Sequence, residues 1–471
     1  MRRIRGAIRA ISVLLLAAFA GLILYVGYSV YTSSSRWLTS GYNARLTHAK
    51  RTVRMGNITD RNGLLLATTD QDGMRMYSAD PALRRAVSQT VGDTMSMSGT
   101  GVETFHAQTL LGISGSLIDR TWQYLTGKEY TGEDIRLTID AELTSYISGL
   151  FPEGKNGAVA VINYQTGEIL SMVSKPDYDP QALVNRREGA DENGSGYLNR
   201  CLQGQYAPGS VFKVITLAAA LENLPNVQNE HFYCEAEQAF GDGTVSCYGH
   251  TKHGKLSLLQ AFSESCNVSF AEIACALGSD LLAKTAEDAG FNDNFRFQDL
   301  ILYESSMEKG DLPLYDLAWT GVGQGTTLVT PLHMAMIAGA VGAGGIMREP
   351  KLILQVTGEG GIPRIRTGGG IYRRAFSDST ARTLSDYMRY AVERGTGTKA
   401  RISGYTVCGK TGSAEISNDK SVSTNAWFVG FVEDERHPYA IAAVVEQGGT
   451  GGSVAAPLAA KALKMAIERN G

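Results

Sequence analysis

The sequence predicts an α+β fold, an antiparallel sheet flanked by helices, behind an N-terminal transmembrane helix and a small stalk module. Three observations predict it. Strand patterns lie at both ends of the long C-terminal region, at 157–174 and 426–447, helical patterns fill the interval between them, and residues 10–31 carry no charge. Strands from the two ends can share one sheet when the intervening helices pack on its faces, which is the α+β arrangement.

The composition fits this reading. A single hydrophobic core rarely grows beyond about 250–300 residues, so 471 residues imply at least two modules. Apolar residues make up 43% and charged ones 19%, the mark of a folding chain rather than a disordered one. The 44 basic and 47 acidic side chains leave a formal charge of −3, without the basic surplus of a nucleic-acid binder. Six Cys and seven His are too few for a disulfide scaffold and enough for one local site.

Residues 1–9 hold Arg2, Arg3, Arg5 and Arg9 and no acid, which suits a cytoplasmic tail. Residues 10–31 would form a helix of about 33 Å, enough to span a bilayer core of about 30 Å. Ala18-Phe-Ala20 has the small-x-small form of a cleavage site, but ten more apolar residues follow where a cleaved leader turns polar. The segment therefore reads as an uncleaved signal anchor, with the rest of the chain outside the cytoplasm. Residues 32–133 are assigned to a juxtamembrane and stalk module, with turn signals at Arg61-Asn-Gly63 and Gly99-Thr-Gly101.

From 134 to 471 the pattern sharpens into the second domain. Residues 135–140, 157–164 and 168–174 read as strands, the latter two joined by a Gln-Thr-Gly turn. Residues 211–224 read as a helix buried on most sides, and 255–290 and 331–342 also look helical. Residues 426–434 and 439–447 form a second hairpin pattern, and 454–469 a closing helix.

Ser-x-x-Lys occurs at Ser210–Lys213, Ser306–Lys309 and Ser417–Lys420. Only the first opens a strongly apolar helix, where positions i and i+3 share a face. Burial there can desolvate the lysine and lower its pKa until it accepts a proton from the serine. On its own the pair reads more readily as a cap serine and a snorkelling lysine. Ser-x-Asn occurs at Ser265–Asn267 and Ser423–Asn425, and Lys410-Thr411-Gly412 occurs once. The order Ser210-x-x-Lys213, Ser265-x-Asn267, Lys410-Thr411-Gly412 is the signature of penicillin-interacting serine acyl-transferases.

Gly404 to Thr411 also matches the Walker A pattern, but no apolar helix follows it, so a nucleotide is not expected. Gly321-Val-Gly323-Gln-Gly325 lacks the third glycine of a dinucleotide fingerprint and reads as a turn.

With these motifs in place the chain resembles a class B penicillin-binding protein, a monofunctional peptidoglycan D,D-transpeptidase of the penicillin-binding protein 2-like kind. The likeness extends to 56–67, 157–180, 199–213, 321–335, 395–400, 409–415 and 425–431 in order. Residues 68–133 resemble no part of it. The resemblance implies Ser210 as nucleophile and Lys213 as its general base, with Ser265 and Asn267 relaying the proton and holding substrate. It further implies Lys410 as standing positive charge, and Thr411, Gly412 and Ser413 as substrate-binding, with two hydroxyls taking the terminal carboxylate. Backbone N–H groups of Ser210 and Ser413 would form the oxyanion hole. The implied partners are peptidoglycan stem peptides, β-lactams, the cytoplasmic membrane and a separate membrane glycan polymerase. A β-lactamase or penicillin sensor, or a non-catalytic cell-wall scaffold, is the alternative.

The acyl chemistry needs no cofactor. Cys234, Cys247, His250, His253 and Cys266 nevertheless fall within one short segment. Cys234, Cys247, His253 and Cys266 suit a tetrahedral structural zinc site, and some elongation-type relatives carry a metal in the corresponding segment. A Cys234–Cys247 disulfide and ordinary buried thiols are the other readings.

Overall fold

The computed structural model describes residues 2–38, 53–113, 131–185, 194–358, 363–365, 368–417, 419 and 422–470. The expectations for residues 39–52 and 114–130 of the stalk lie outside them. The chain opens with a 37-residue helix, Arg2–Leu38, whose Ile11–Ser29 segment is long and apolar enough to cross a membrane. It runs past the predicted end at 31 because residues 32–38 contain no Gly or Pro to stop it.

The two predicted hairpins join into one five-stranded antiparallel sheet. Its order is Val407–Ala414, Asn425–Val432, Tyr439–Val445, Gly157–Asn163, Ile169–Lys175. The seam between the chain's two ends pairs Ala442 with Ala160 and Val444 with Ala158. These strands read as nearly continuous apolar runs because both faces are covered. Ala160, Ile162, Phe431 and Ala442 pack with the Pro331–Gly342 helix, while Phe428, Ile441 and Ala443 pack with the Ala455–Asn470 helix.

A second sheet, of six strands, crosses the expected boundary at 133/134. Its order is Pro363–Ile365, Ile353–Thr357, Asp134–Leu137, Ile58–Thr59, Leu65–Thr69, Arg75–Tyr77. The small module is thus completed by a strand just after it and by a hairpin more than two hundred residues later. Asp60 shapes the predicted Arg61-Asn-Gly63 turn by accepting from the Asn62 and Leu64 N–H groups, both at 2.8 Å. The module docks on the larger domain through paired hydrogen bonds from Arg84 to Asp179, at 2.8 and 2.7 Å, and through Arg85 to Asp177.

Residues 255–290, expected to be helical, open with a strand and then form three separate helices. Gly254–Ser257 is a strand, and the helices Leu258–Ser263, Asn267–Leu277 and Ser279–Asp288 follow. Ser257 and Gln260 form a capping box, Ser265 breaks the next turn at φ +61°, and Gly278 breaks the last at φ +78°.

Inside the small module Arg75 Nε donates to Glu103 Oε1 at 2.6 Å, Tyr77 OH donates to Oε2 at 2.7 Å, and both members of the ion pair are buried. Removing one partner of such a pair leaves an uncompensated buried charge. Glu103→Ala should therefore destabilise the protein by about 3–5 kcal/mol, read as an earlier transition in a urea titration.

Candidate active site

The nucleophile loop is set by glycine and by long-range hydrogen bonds. Gly209 has φ +55°, and a Cβ there would lie 3.1 Å from Ala414. Only glycine lets Ser210 approach the Val407–Ala414 strand this closely without strain. The Gly209 N–H donates to the Gly323 carbonyl at 2.8 Å. Gly321 and Val322 close the Leu314–Val322 helix, Gly323 caps it at φ +86°, and the expected turn follows, beside this loop. Trp427 Nε1 donates to Ala207 O at 3.2 Å, and Glu446 Oε1 accepts from Arg200 Nε at 2.9 Å and from Tyr206 OH at 2.7 Å. Arg200, Tyr206 and Trp427 lie in resembling blocks but outside the three motifs, and Glu446 lies outside both.

Ser210 lies in a single 3-10 turn, Gly209–Phe212, that runs into the Lys213–Asn223 helix. Lys213 is fully buried. Its Nζ donates to Ser265 O at 2.7 Å and Asn267 Oδ1 at 2.8 Å, and lies 3.3 Å from Ser265 Oγ. Lys410 is also fully buried, and its Nζ donates to Ser265 Oγ at 2.8 Å and Thr411 O at 3.0 Å. The left-handed Ser265 thus presents one hydroxyl to two ammonium groups. Loss of hydration lowers the Lys213 pKa to about 8. Lys410 is pushed well below the ordinary lysine range, first by the same burial and then by the Lys213 charge.

Lys410, expected as nearby positive charge, thus shares its hydrogen-bond partner with a second buried lysine. With two buried ammonium groups this close, the pair favours holding one proton, and Ser265 Oγ touches both nitrogens.

Ser210, Ser265, Asn267, Thr411, Gly412 and Ser413 line one cavity of about 960 Å³. Lys410, Thr411, Gly412 and Ser413 lie on the Val407–Ala414 strand, whose outer edge is open in the five-stranded sheet. A Cβ on Gly412 would lie 3.0 Å from Val211 and 3.1 Å from the Pro208 carbonyl, so strand and nucleophile loop pack without a side chain between them. The Walker-like run leads into this strand and not into a helix, so it is no phosphate loop. Of the other motif copies, Lys309 pairs with Glu287 at the surface, and Asn425 Oδ1 accepts the Gln447 N–H. Lys420 lies outside the described residues.

Cys234, Cys247, His253 and Cys266 converge, with all four ligand atoms within 4.8 Å of one another. Cys234 Sγ lies 3.6 Å from Cys247 Sγ and 3.4 Å from His253 Nδ1, and Cys247 Sγ lies 3.8 Å from Cys266 Sγ. Tetrahedral zinc–thiolate bonds of about 2.3 Å put neighbouring sulfurs about 3.8 Å apart, so donor types and spacing both fit zinc. The Cys234–Cys247 pair is unbonded, its separation far beyond a disulfide length. His250 faces Glu237 instead. Cys266 caps the Asn267–Leu277 helix, and Asn267 Nδ2 donates to Ser246 O beside Cys247, so the cluster adjoins the Ser265–Asn267 segment on two sides.

The family description "Penicillin binding protein transpeptidase domain" matches residues 157–464. The chain belongs to this family. It is 29% identical to the peptidoglycan D,D-transpeptidase PbpA of Mycolicibacterium smegmatis, across 99% of this chain and 98% of that one. It is 28% identical to the stage V sporulation protein D of Bacillus subtilis, across 88% of this chain and 66% of the relative. Among solved structures, the ceftriaxone acyl-enzyme complex of penicillin-binding protein A from M. tuberculosis superposes with a TM-score of 0.80 at 29% identity, covering 88% of this chain and 99% of that one. With such relatives along its length, this penicillin-binding protein is of class B.

Proposed function

We propose that this protein is a peptidoglycan D,D-transpeptidase working through a Ser210 acyl-enzyme. The observation that carries the reading is the convergence of two desolvated lysines on Ser265, in the cavity that Ser210 also lines. A surface lysine holds its proton at neutral pH, whereas a buried pair limited to one proton leaves one nitrogen free to act as base.

In the first half-reaction Ser210 Oγ attacks the carbonyl between the two D-alanines of a stem peptide. Its proton passes to Lys213 as the pair's own proton moves over Ser265 Oγ to Lys410, and the Ser210 and Ser413 N–H groups hold the oxyanion. The tetrahedral species collapses, the C–N bond breaks, and D-alanine leaves with a proton returned through the Lys213–Ser265–Lys410 group. Thr411 and Ser413 take the terminal carboxylate. In the second half-reaction an amine of a neighbouring stem peptide attacks the ester, forms the cross-link and frees Ser210. A β-lactam enters the first half-reaction, and its leaving nitrogen stays tethered in the acyl-enzyme.

The Ile11–Ser29 segment supports single-pass anchoring with the catalytic domain outside the cytoplasm. A separate membrane glycan polymerase would supply the strands to be joined. Cys234, Cys247, His253 and Cys266 would hold a structural zinc, which when bound braces the Ser265–Asn267 segment without entering the acyl chemistry.

Intact mass of the full-length chain in detergent should rise by one benzylpenicillin mass and stay raised for hours. Ser210→Ala should show no adduct. An adduct that clears within minutes would mean a β-lactamase, and an equal adduct on Ser210→Ala would remove the assigned nucleophile. Elemental analysis of protein purified without chelator should give about one zinc per chain, lost in a Cys234→Ser/Cys247→Ser variant. Zinc-free wild type would refute the metal site.

A further inference from the structure

Thr396 lies outside all three motifs, yet its hydroxyl is 2.6 Å from that of Thr411. Its backbone is fixed independently of that contact. The Thr396 N–H donates to Ser263 O at 3.1 Å, and Gly395 packs so closely on Ser263 that a Cβ would lie 2.4 Å from the same carbonyl. Thr396, Thr411 and Ser413 all line the cavity that holds Ser210. Across it, the Gly451 N–H donates to Ser413 Oγ at 3.2 Å.

A hydroxyl has one proton to give and two lone pairs to fill, whereas an ionised carboxylate only accepts. At Ser413 a lone pair is filled by the Gly451 N–H, which leaves the serine proton free to face the cavity. At Thr411 the group able to fill the same role is the Thr396 hydroxyl. When Thr396 donates to Thr411, the Thr411 proton is left for the ligand. The two hydroxyls on the strand are then each supported from behind by a donor, one from residues 449–452 and one from residues 395–398.

We infer that Thr396 is a positioning residue that orients the Thr411 hydroxyl toward the substrate's terminal carboxylate, and so helps set the preference for a free carboxylate. The inference rests on the proposed carboxylate role of Thr411. Removing the Thr396 hydroxyl leaves Thr411 free to rotate and to point its proton elsewhere. A hydrogen bond to a charged group is worth roughly a tenfold change or more in binding.

The test uses the full-length chain in detergent and two acyl donors. One is a D-alanyl thioester whose thiol leaving group carries a free carboxylate, and the other is the methyl ester of that carboxylate. The ratio of their kcat/KM values is measured within each variant, so any inactive fraction cancels. Thr396→Val should lower the acid-over-ester ratio about tenfold, mainly through KM for the acid, and Thr396→Ser should keep it within about twofold. Thr411→Val is the companion, expected to lower the ratio at least as far. An unchanged ratio in Thr396→Val beside a lowered one in Thr411→Val would overturn the inference and leave the carboxylate reading standing. Equal losses in Thr396→Val and Thr396→Ser would overturn it as well, since packing and not the hydroxyl would then be at work. Unchanged ratios in all three would remove the carboxylate role of Thr411 and the inference with it.

Discussion

Two lysines without solvent exposure, set on either side of one serine hydroxyl, are the constraint around which this protein is arranged. Water would solvate each ammonium better than the protein does. The unfolded chain holds Lys213 protonated up to about pH 10.4, while the folded chain releases that proton at about 8. Between those values the unfolded state binds more protons, so stability falls as pH drops through the window. At neutral pH the cost is complete, about 3 kcal/mol for Lys213 alone. The remaining contacts recover part of it: Phe270 and Phe262 place ring faces near the two nitrogens, at 5.4 and 5.7 Å, and four protein oxygens accept from them.

Holding the pair in place requires elements from distant parts of the chain. Lys213 stands on a helix whose buried residues run from its own position to Ala220, and Lys410 stands on the edge strand of the five-stranded sheet. Ser265 reaches between them because its positive φ interrupts the helical segment at that point. Glycine makes the junction possible, since Gly209 turns the nucleophile loop against the strand and its N–H finds Gly323. The Cys/His cluster sits directly behind the interrupted segment. A metal there would stiffen the segment in which the left-handed Ser265 touches both lysines.

Much of this was legible in the residues. The three motifs in order, the two apolar hairpins and the Cys/His spacing are local patterns, and the structure brings the residues of each together. What escaped was long-range. Nothing in 353–365 says that it pairs with 134–137, because a period-two pattern fixes which faces a strand has but not its partner. Glu446, Arg200 and Tyr206 meet only after the sheet closes. The helical periodicity of 255–290 hid the break at Ser265, since a single residue in left-handed conformation leaves the apolar spacing on either side intact. The protonation of Lys410 is hidden from the sequence for a related reason. Sequence shows that a lysine is present, but its charge depends on burial and on the second lysine.

If the buried pair works with one proton, the pH dependence of acylation will carry its mark. The second-order rate constant for benzylpenicillin should rise with pH as the doubly protonated pair loses its first proton. It should fall again with an apparent pKa near 8, where the remaining proton leaves. A rate that climbs without a maximum into the ordinary lysine range would mean one independent, solvated lysine and not a coupled pair.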